Sequence, residues 1–216
     1  MELWKLNIVS LAWSYFRESK LFDLTRHVNT HRRMRLEAYR CASEGLSGAN
    51  LYMAAWTSVI VDSLSEVMSL QGVSPGDFDF IDIGCGKGKV LLVWRECLAS
   101  MGLAHALTGI ELNPDLLDIC RDNLRNVGGG DDVKLICADV SSFDFGAFSN
   151  SLLLYLYNPF DGRIMDAFLR RLLGRRVYVI YNNPVHISVL TDHGFRVVSE
   201  RKGKYPVQTY AILARE

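Results

Sequence analysis

"DFDFIDIGCGKGKVLL", residues 77–92, passes from an apolar strand through three glycines into an apolar helix. Glycine weakens regular structure, so Gly84, Gly86 and Gly88 in so short a span mark a backbone that something approaches closely. From "SPGD" (74–77) onward the chain alternates strand and helix. "FDFIDIG" reads as a first strand, "HALTGIEL" as a second, "VKLICADV" as a third, "SLLLYLYN" as a fourth and "RRVYVIYNN" as a fifth. Helices separate them: "KGKVLLVWRECLAS", "PDLLDICRDNLRNV" with Pro114 at an early helical position, "DGRIMDAFLRRLLG" closed by Gly174, and the shorter "PVHISVLTDHG". "FRVVSERKG" and "QTYAILARE" form an antiparallel pair at the end. Near-continuous apolar strands alternating with helices predict a parallel sheet covered on both faces. Ligands of such sheets sit beyond the carboxyl ends of the strands, where the glycine loop lies.

The composition sets bounds on this reading. The 216 residues are 49% hydrophobic and 22% charged, with 24 basic against 24 acidic side chains. A balanced charge gives no global pull toward nucleic acid or an anionic membrane. Five cysteines (Cys41, Cys85, Cys97, Cys120 and Cys137) are scattered and never paired as C-x-x-C. They read as reduced thiols of a cytoplasmic protein, with neither a disulfide framework nor a zinc site. His27 and His31 stand four apart without a third ligand, and are expected to be solvated or capping.

No stretch has the length of a membrane span. In the opening "MELWKLNIVSLAWSYFRESK", Ser10 and Ser14 interrupt the apolar run and no small-residue cleavage site follows. Trp4, Ile8, Leu11 and Tyr15 fall at helical spacing, which predicts an amphipathic helix packed on the body. Up to about residue 75 the chain reads as helical and arginine-rich (Arg26, Arg32, Arg33, Arg35, Arg40), broken by "EGLSGAN" at 44–50.

A dinucleotide fingerprint, G-x-G-x-x-G, would need its third glycine at position 89, which is Lys89. The order Asp82, Gly84, Gly86, Gly88, between a strand and a helix, instead resembles motif I of the class I S-adenosylmethionine-dependent methyltransferases. The resemblance implies a Rossmann-like α/β fold: a seven-stranded, mostly parallel sheet with an antiparallel C-terminal strand, preceded by an N-terminal helical extension. It divides the chain at 1–45 and 46–216. The cofactor would be S-adenosylmethionine, its methionine part lying along the glycines and its carboxylate near the helix N-terminus. Asp82 would hold the ammonium end or a water beside it.

The family's ribose-binding acid maps onto Glu111 in "GIELN", and Asp139 and Val140 in "CADV" map onto the adenine contacts. At the end of the fourth strand, "YNPF" is similar to the Asn/Asp-Pro-Pro-Tyr/Phe of amino-directed members, with one proline fewer. Asn158, Pro159 and Phe160 are thus the candidate catalytic residues; a plain turn before a helix is the competing reading. "YNNP" (181–184) adds a second asparagine–proline turn, read as part of the same rim.

"FDLTRHVNTHRR", "SGANLYMAAW" and the G-K-G-K loop resemble bacterial class I members of unassigned substrate, whose extension lids the cofactor. That makes Tyr52 a candidate cofactor contact. The "FIDIGCGKGKV" stretch also resembles the Rossmann-like, non-SET lysine methyltransferases. The expected activity is methyl transfer to nitrogen, on a protein side chain or a small molecule, with nucleic acid disfavoured and no metal. A module that binds the cofactor without turnover, and a nicotinamide dehydrogenase, are the alternatives.

Overall fold

The computed structural model describes residues 10–31, 48–50, 52–103, 105–130 and 132–216. A helical run, α1, covers 10–26; its middle, Phe16–Leu21, is π-wound and its last turn is Phe22–Arg26. His27 ends it in a left-handed conformation (φ 56°). Helix α2, Thr57–Met68, follows, and then the strands and helices alternate. They are β1 Asp79–Ile83, α3 Lys89–Ser100, β2 Leu107–Glu111, α4 Pro114–Asn126, β3 Val133–Cys137 and β4 Ser151–Tyr157. Then come α5 Gly162–Arg170, β5 Arg176–Asn182, α6 Ile187–Asp192, β6 Arg196–Arg201 and β7 Tyr210–Arg215.

The seven strands form one sheet in the order β3-β2-β1-β4-β5-β7-β6. All neighbours are parallel except β7, which runs antiparallel between β5 and β6. This is the Rossmann-like sheet with an inverted C-terminal strand that the family resemblance implies, and its parallel core is the one the strand pattern predicts. Side chains alternate between two buried faces, as the period of a strand requires. Phe80, Leu153, Tyr155 and Tyr178 pack with α2, α3 and α4 on one face. Ile81, Ile83, Leu154 and Val179 pack with α5 and α6 on the other. The order of the strands reverses its direction of winding at β1 and β4, so a crevice opens beyond their carboxyl ends.

Leu11 lies against the first core, and Tyr15 is 49% exposed. Trp4 and Ile8, the other members of the expected apolar stripe, fall outside the described residues, as do Cys41, Arg32, Arg33, Arg35 and Arg40. Arg26 is held bidentately by Glu96 of α3, at 2.6 and 2.7 Å. Among the described residues, no helix is long and apolar enough to cross a membrane.

Candidate functional site

The β1–α3 turn is built from glycines that all take positive φ: 73° at Gly84, 53° at Gly86 and 81° at Gly88. Side chains are strained in that region, which is why the sequence spends three glycines there. The close approach they permit is made by the chain itself. A Cβ on Gly84 would sit 2.8 Å from Cβ of Pro159, one on Gly86 would overlap the Tyr52 ring, and one on Gly88 would overlap Sγ of Cys120. The turn is fastened to β2, where the Ile110 carbonyl accepts the Gly84 and Cys85 amides at 2.8 and 3.1 Å. Cys85 itself is buried, and its sulfur packs against Gly109.

Three carboxylates surround this turn. Asp82, in β1, is 3% exposed and its Oδ2 is buried without a hydrogen-bond partner among the described residues. Burial, with the Glu111 charge nearby, pushes the Asp82 carboxyl well above the usual carboxylate range. Glu111, at the end of β2, accepts the Gly86 amide at 3.0 Å and the Asn113 amide at 2.9 Å. Burial raises Glu111 too, and those backbone hydrogen bonds oppose the rise. Asn113 is the N-cap of α4, its side chain accepting the Asp115 amide at 2.9 Å, with Pro114 opening the helix. Asp139 follows β3 and accepts the Ser141 amide at 2.9 Å, and Val140 beside it is buried.

The end of β4 forms the opposite wall. Asn158 takes a left-handed conformation (φ 40°), uncommon for a residue with a side chain. Its Oδ1 is buried without a partner among the described residues, and its carbonyl accepts Nδ2 of Asn50 at 2.7 Å. The Asn50 amide donates to the Pro159 carbonyl at 2.9 Å, and the Asp161 amide to the Gly48 carbonyl at 2.8 Å. A short strap over 48–50 is thereby laid antiparallel against 158–161, with a bridge between Ala49 and Phe160. Phe160 is 5% exposed and meets Phe168 of α5 edge to face, so its ring belongs mainly to the second core.

Asn182 is not part of this wall. It is fully buried, and its Nδ2 donates to the Val207 and Thr209 carbonyls at 3.1 and 2.8 Å, fixing the approach to β7. The second asparagine–proline turn therefore works in the sheet, and the single rim read from two strands reduces to the one at β4.

Behind the turn lies a buried polar layer between α1 and α3. Lys87 and Lys89, the lysines of the G-K-G-K loop, are 1% and 3% exposed. Lys89 Nζ donates to the Glu18 carbonyl and sits over the Phe22 ring at 4.8 Å. Burial lowers Lys89 to about 8, against the pull of Glu18 and Asp23. Lys87 Nζ lies 5.5 Å from the centre of the Tyr52 ring. The Tyr52 hydroxyl donates to the Thr30 carbonyl at 2.6 Å, and Thr30 is held in turn by the buried Asp23. His31 Nδ1 also pairs with Asp23, so this histidine fastens the extension. Sequence reasoning missed this layer and the strap. Two lysines flanking Gly88 on a buried helix start was the available signal.

Glu111, Asp139, Val140, Gly84, Tyr52, Asn158, Pro159 and Phe160 all line one cavity of about 820 Å³, open mouth included. Gly86, Gly88 and Asp82 lie behind its wall; they shape the turn without lining the cavity. The lining suits a cationic ligand with a flat polar part. Acids stand at the ends of β2 and β3, apolar Ile110, Leu112 and Leu116 lie between them, and Asn158 Oδ1 and Asn113 Nδ2 lack partners among the described residues, as does Asp82 Oδ2 behind the wall. Unpaired buried acceptors are costly unless a ligand donates to them. S-adenosylmethionine, with its ammonium, sulfonium, ribose hydroxyls and adenine amine, fits that acid-bearing lining.

Comparison with known proteins agrees with this geometry. Residues 80–176 match the family model of the methyltransferase domain. A stretch of 70 residues is 30% identical to a probable cobalt-precorrin-6B C(15)-methyltransferase (decarboxylating) of Methanobrevibacter smithii, covering 32% of this chain and 34% of that one. The chain thus matches about a third of the length of that curated relative. The fold is similar to that of an amino pentose methyltransferase from Micromonospora echinaspora, solved with S-adenosylmethionine bound. The TM-score is 0.55 at 14% identity, over 86% of this chain and all of that one. It is also similar to a glycopeptide N-methyltransferase, solved in complex with S-adenosylmethionine, with TM-score 0.50 at 12% identity over 72% of this chain and 92% of that one. With motif I, the acids at two strand ends and the inverted β7 all in one frame, residues 80–176 carry a methyltransferase domain of the class I, S-adenosylmethionine-dependent kind.

Proposed function

We propose that the chain transfers a methyl group from S-adenosylmethionine to a nitrogen nucleophile. The observation that carries this reading is Asn158, whose side-chain oxygen is buried, unpartnered and set at the end of β4 across the cavity from Glu111. The cofactor supplies an activated methyl on a sulfonium, so the protein's work is to align the acceptor and exclude water. In this reading Glu111 accepts from the ribose hydroxyls, Asp139 and Val140 face the adenine, and Asp82 holds the ammonium directly or through a water. Gly84, Gly86 and Gly88 shape the turn along which the methionine part lies, and Tyr52 clamps that turn from outside. Asn158 and Pro159 orient the acceptor. Phe160 supports them from the core.

We assign residues 1–45 to an extension whose task is to brace the glycine turn, and 46–216 to the transferase body. The docking of Asp23 and Thr30 behind Tyr52 supports this division. We place the protein in the cytoplasm, a reading supported by Cys85, Cys97, Cys120 and Cys137 all being free thiols. A module that binds the cofactor without turnover would use the same acids and glycines but would have no need of Asn158.

The test is therefore Asn158→Ala. Calorimetry should find cofactor affinity nearly unchanged, while methyl transfer, measured once an acceptor is in hand, should fall by about 10²-fold or more, the cost of an ångström-scale misplacement. If Asn158 is only a turn residue, the variant will lose thermal stability and keep its turnover per folded molecule.

A further inference from the structure

We infer that the methyl acceptor is a small, uncharged aromatic or heteroaromatic amine, received between the 48–50 strap and the end of β4. This rests on the proposed transfer to nitrogen and narrows it to a substrate class.

Charge is the first ground. The cavity's only charged lining groups among the described residues are Glu111 and Asp139, both on the β2–β3 side. Each has a carboxylate oxygen that accepts from a backbone amide. The opposite end is made of Ala49, Asn50, Met53, Tyr157, Pro159 and Ile164, with Asn158 among them. A phosphate or carboxylate placed there would meet no lysine, arginine or histidine of the described lining, and an alkylammonium would meet no carboxylate of the described lining. A desolvated charge without a partner is costly, so a neutral acceptor is the one this end receives without penalty.

Proton chemistry is the second. An ammonium or a hydroxyl must lose its proton before its lone pair can attack, which requires a base. Tyr157, the titratable group at this end, is pushed up to about 12 by burial and stays a neutral phenol. Tyr52 is likewise held well above its ordinary value. An aromatic amine is neutral near pH 7 and keeps its lone pair. Its nitrogen forms the new N–C bond as the S–C bond breaks, sulfur keeps the bonding pair, and the surplus proton leaves the methylated nitrogen for water at the mouth.

The third ground is the pattern of hydrogen bonds. Asn50 Nδ2 already occupies the Asn158 carbonyl, so the acceptor left without a partner among the described residues is the buried Asn158 Oδ1. The strap closes this flank of the cavity through its pairing with 158–161. Met53, 51% exposed, and Pro159 offer the soft and flat surfaces on which an aromatic ring packs.

The experiment uses three six-membered rings of matched size on the full chain loaded with S-adenosylhomocysteine: aniline, cyclohexylammonium and benzoate. Binding is read by NMR titration of the protein at neutral pH. Aniline should bind at least about fivefold more tightly than either ion, since burying an unpaired charge costs more than that factor requires. Asn158→Asp, which puts a carboxylate where Oδ1 stands, should reverse the order of aniline and cyclohexylammonium. Equal or tighter binding of either ion to the native chain, or no saturation by aniline, would overturn the substrate class. An unchanged order in a folded Asn158→Asp variant would overturn the part given to Asn158. Failure of S-adenosylhomocysteine to load is read separately, in the calorimetry that precedes the titration, and removes the transferase reading itself.

Discussion

The Glu111 carboxylate spans two strand ends, accepting the Gly86 amide of the β1–α3 turn at 3.0 Å with one oxygen and the Asn113 amide at 2.9 Å with the other. One side chain thus shapes the glycine turn and caps the entry to α4 while facing the cavity. The place we propose for it in cofactor binding is also its place in the turn.

Glu111→Ala should lower affinity for S-adenosylhomocysteine by roughly 1.5–3 kcal/mol, about tenfold to a hundredfold. The hydrophobic core does not depend on Glu111, so cooperative unfolding should persist. Glu111→Gln keeps one carbonyl acceptor and should lose less. Calorimetry on both variants gives the answer, and an affinity within twofold of the native chain for the alanine variant removes Glu111 from the site.

Gly86 carries the second expectation. A methyl group there would overlap the Tyr52 ring and impose a φ of 53° on a non-glycine residue. Gly86→Ala should destabilise the chain by about 2–6 kcal/mol, the sum of backbone strain and overpacking. Combining it with Tyr52→Ala should recover part of that loss, because the clash goes and only the strain remains. Urea unfolding of the two single variants and the double variant measures the coupling. Strict additivity would mean that the ring does not rest on the turn.

Much of this was legible in the sequence because it depends on neighbours along the chain. The strand–glycine–helix order around Asp82 announces β1, the turn and α3 together. Pro114 after Asn113 announces a capped helix, and apolar strands such as "LLLYLY" announce a sheet buried on both faces. What was illegible depends on distant segments meeting. Nothing near Lys89 reveals that the Glu18 carbonyl, 71 residues away, will receive it. Asn50 and Asn158 stand 108 residues apart and meet only because the strap is laid on β4. Asn182 and Asn158 end parallel neighbouring strands in similar local sequences, yet one braces β7 and the other lines the cavity.

Lys89 makes the stability of the fold depend on pH in a definite direction. Burial holds it at about 8 in the folded chain, below its ordinary 10.5. The unfolded chain therefore binds this proton more strongly, and stability should rise with pH between those two values. The full effect is about 3 kcal/mol, of which about 2 kcal/mol should appear between pH 7.5 and 9.5. Comparison with Lys89→Met cancels the other titrating groups. Urea unfolding at the two pH values should show the native chain gaining on the variant as pH rises. Parallel behaviour would place Lys89 in a more polar setting than the layer between α1 and α3.

The account turns on which cofactor the β1–α3 turn and Glu111 accept. The direct measurement is calorimetric titration of the native chain with S-adenosylhomocysteine and, separately, with NAD. Saturable binding of S-adenosylhomocysteine at least about tenfold tighter than NAD, a difference of about 1.4 kcal/mol, is the predicted result. NAD binding of equal or greater strength, or no binding of S-adenosylhomocysteine, would contradict it.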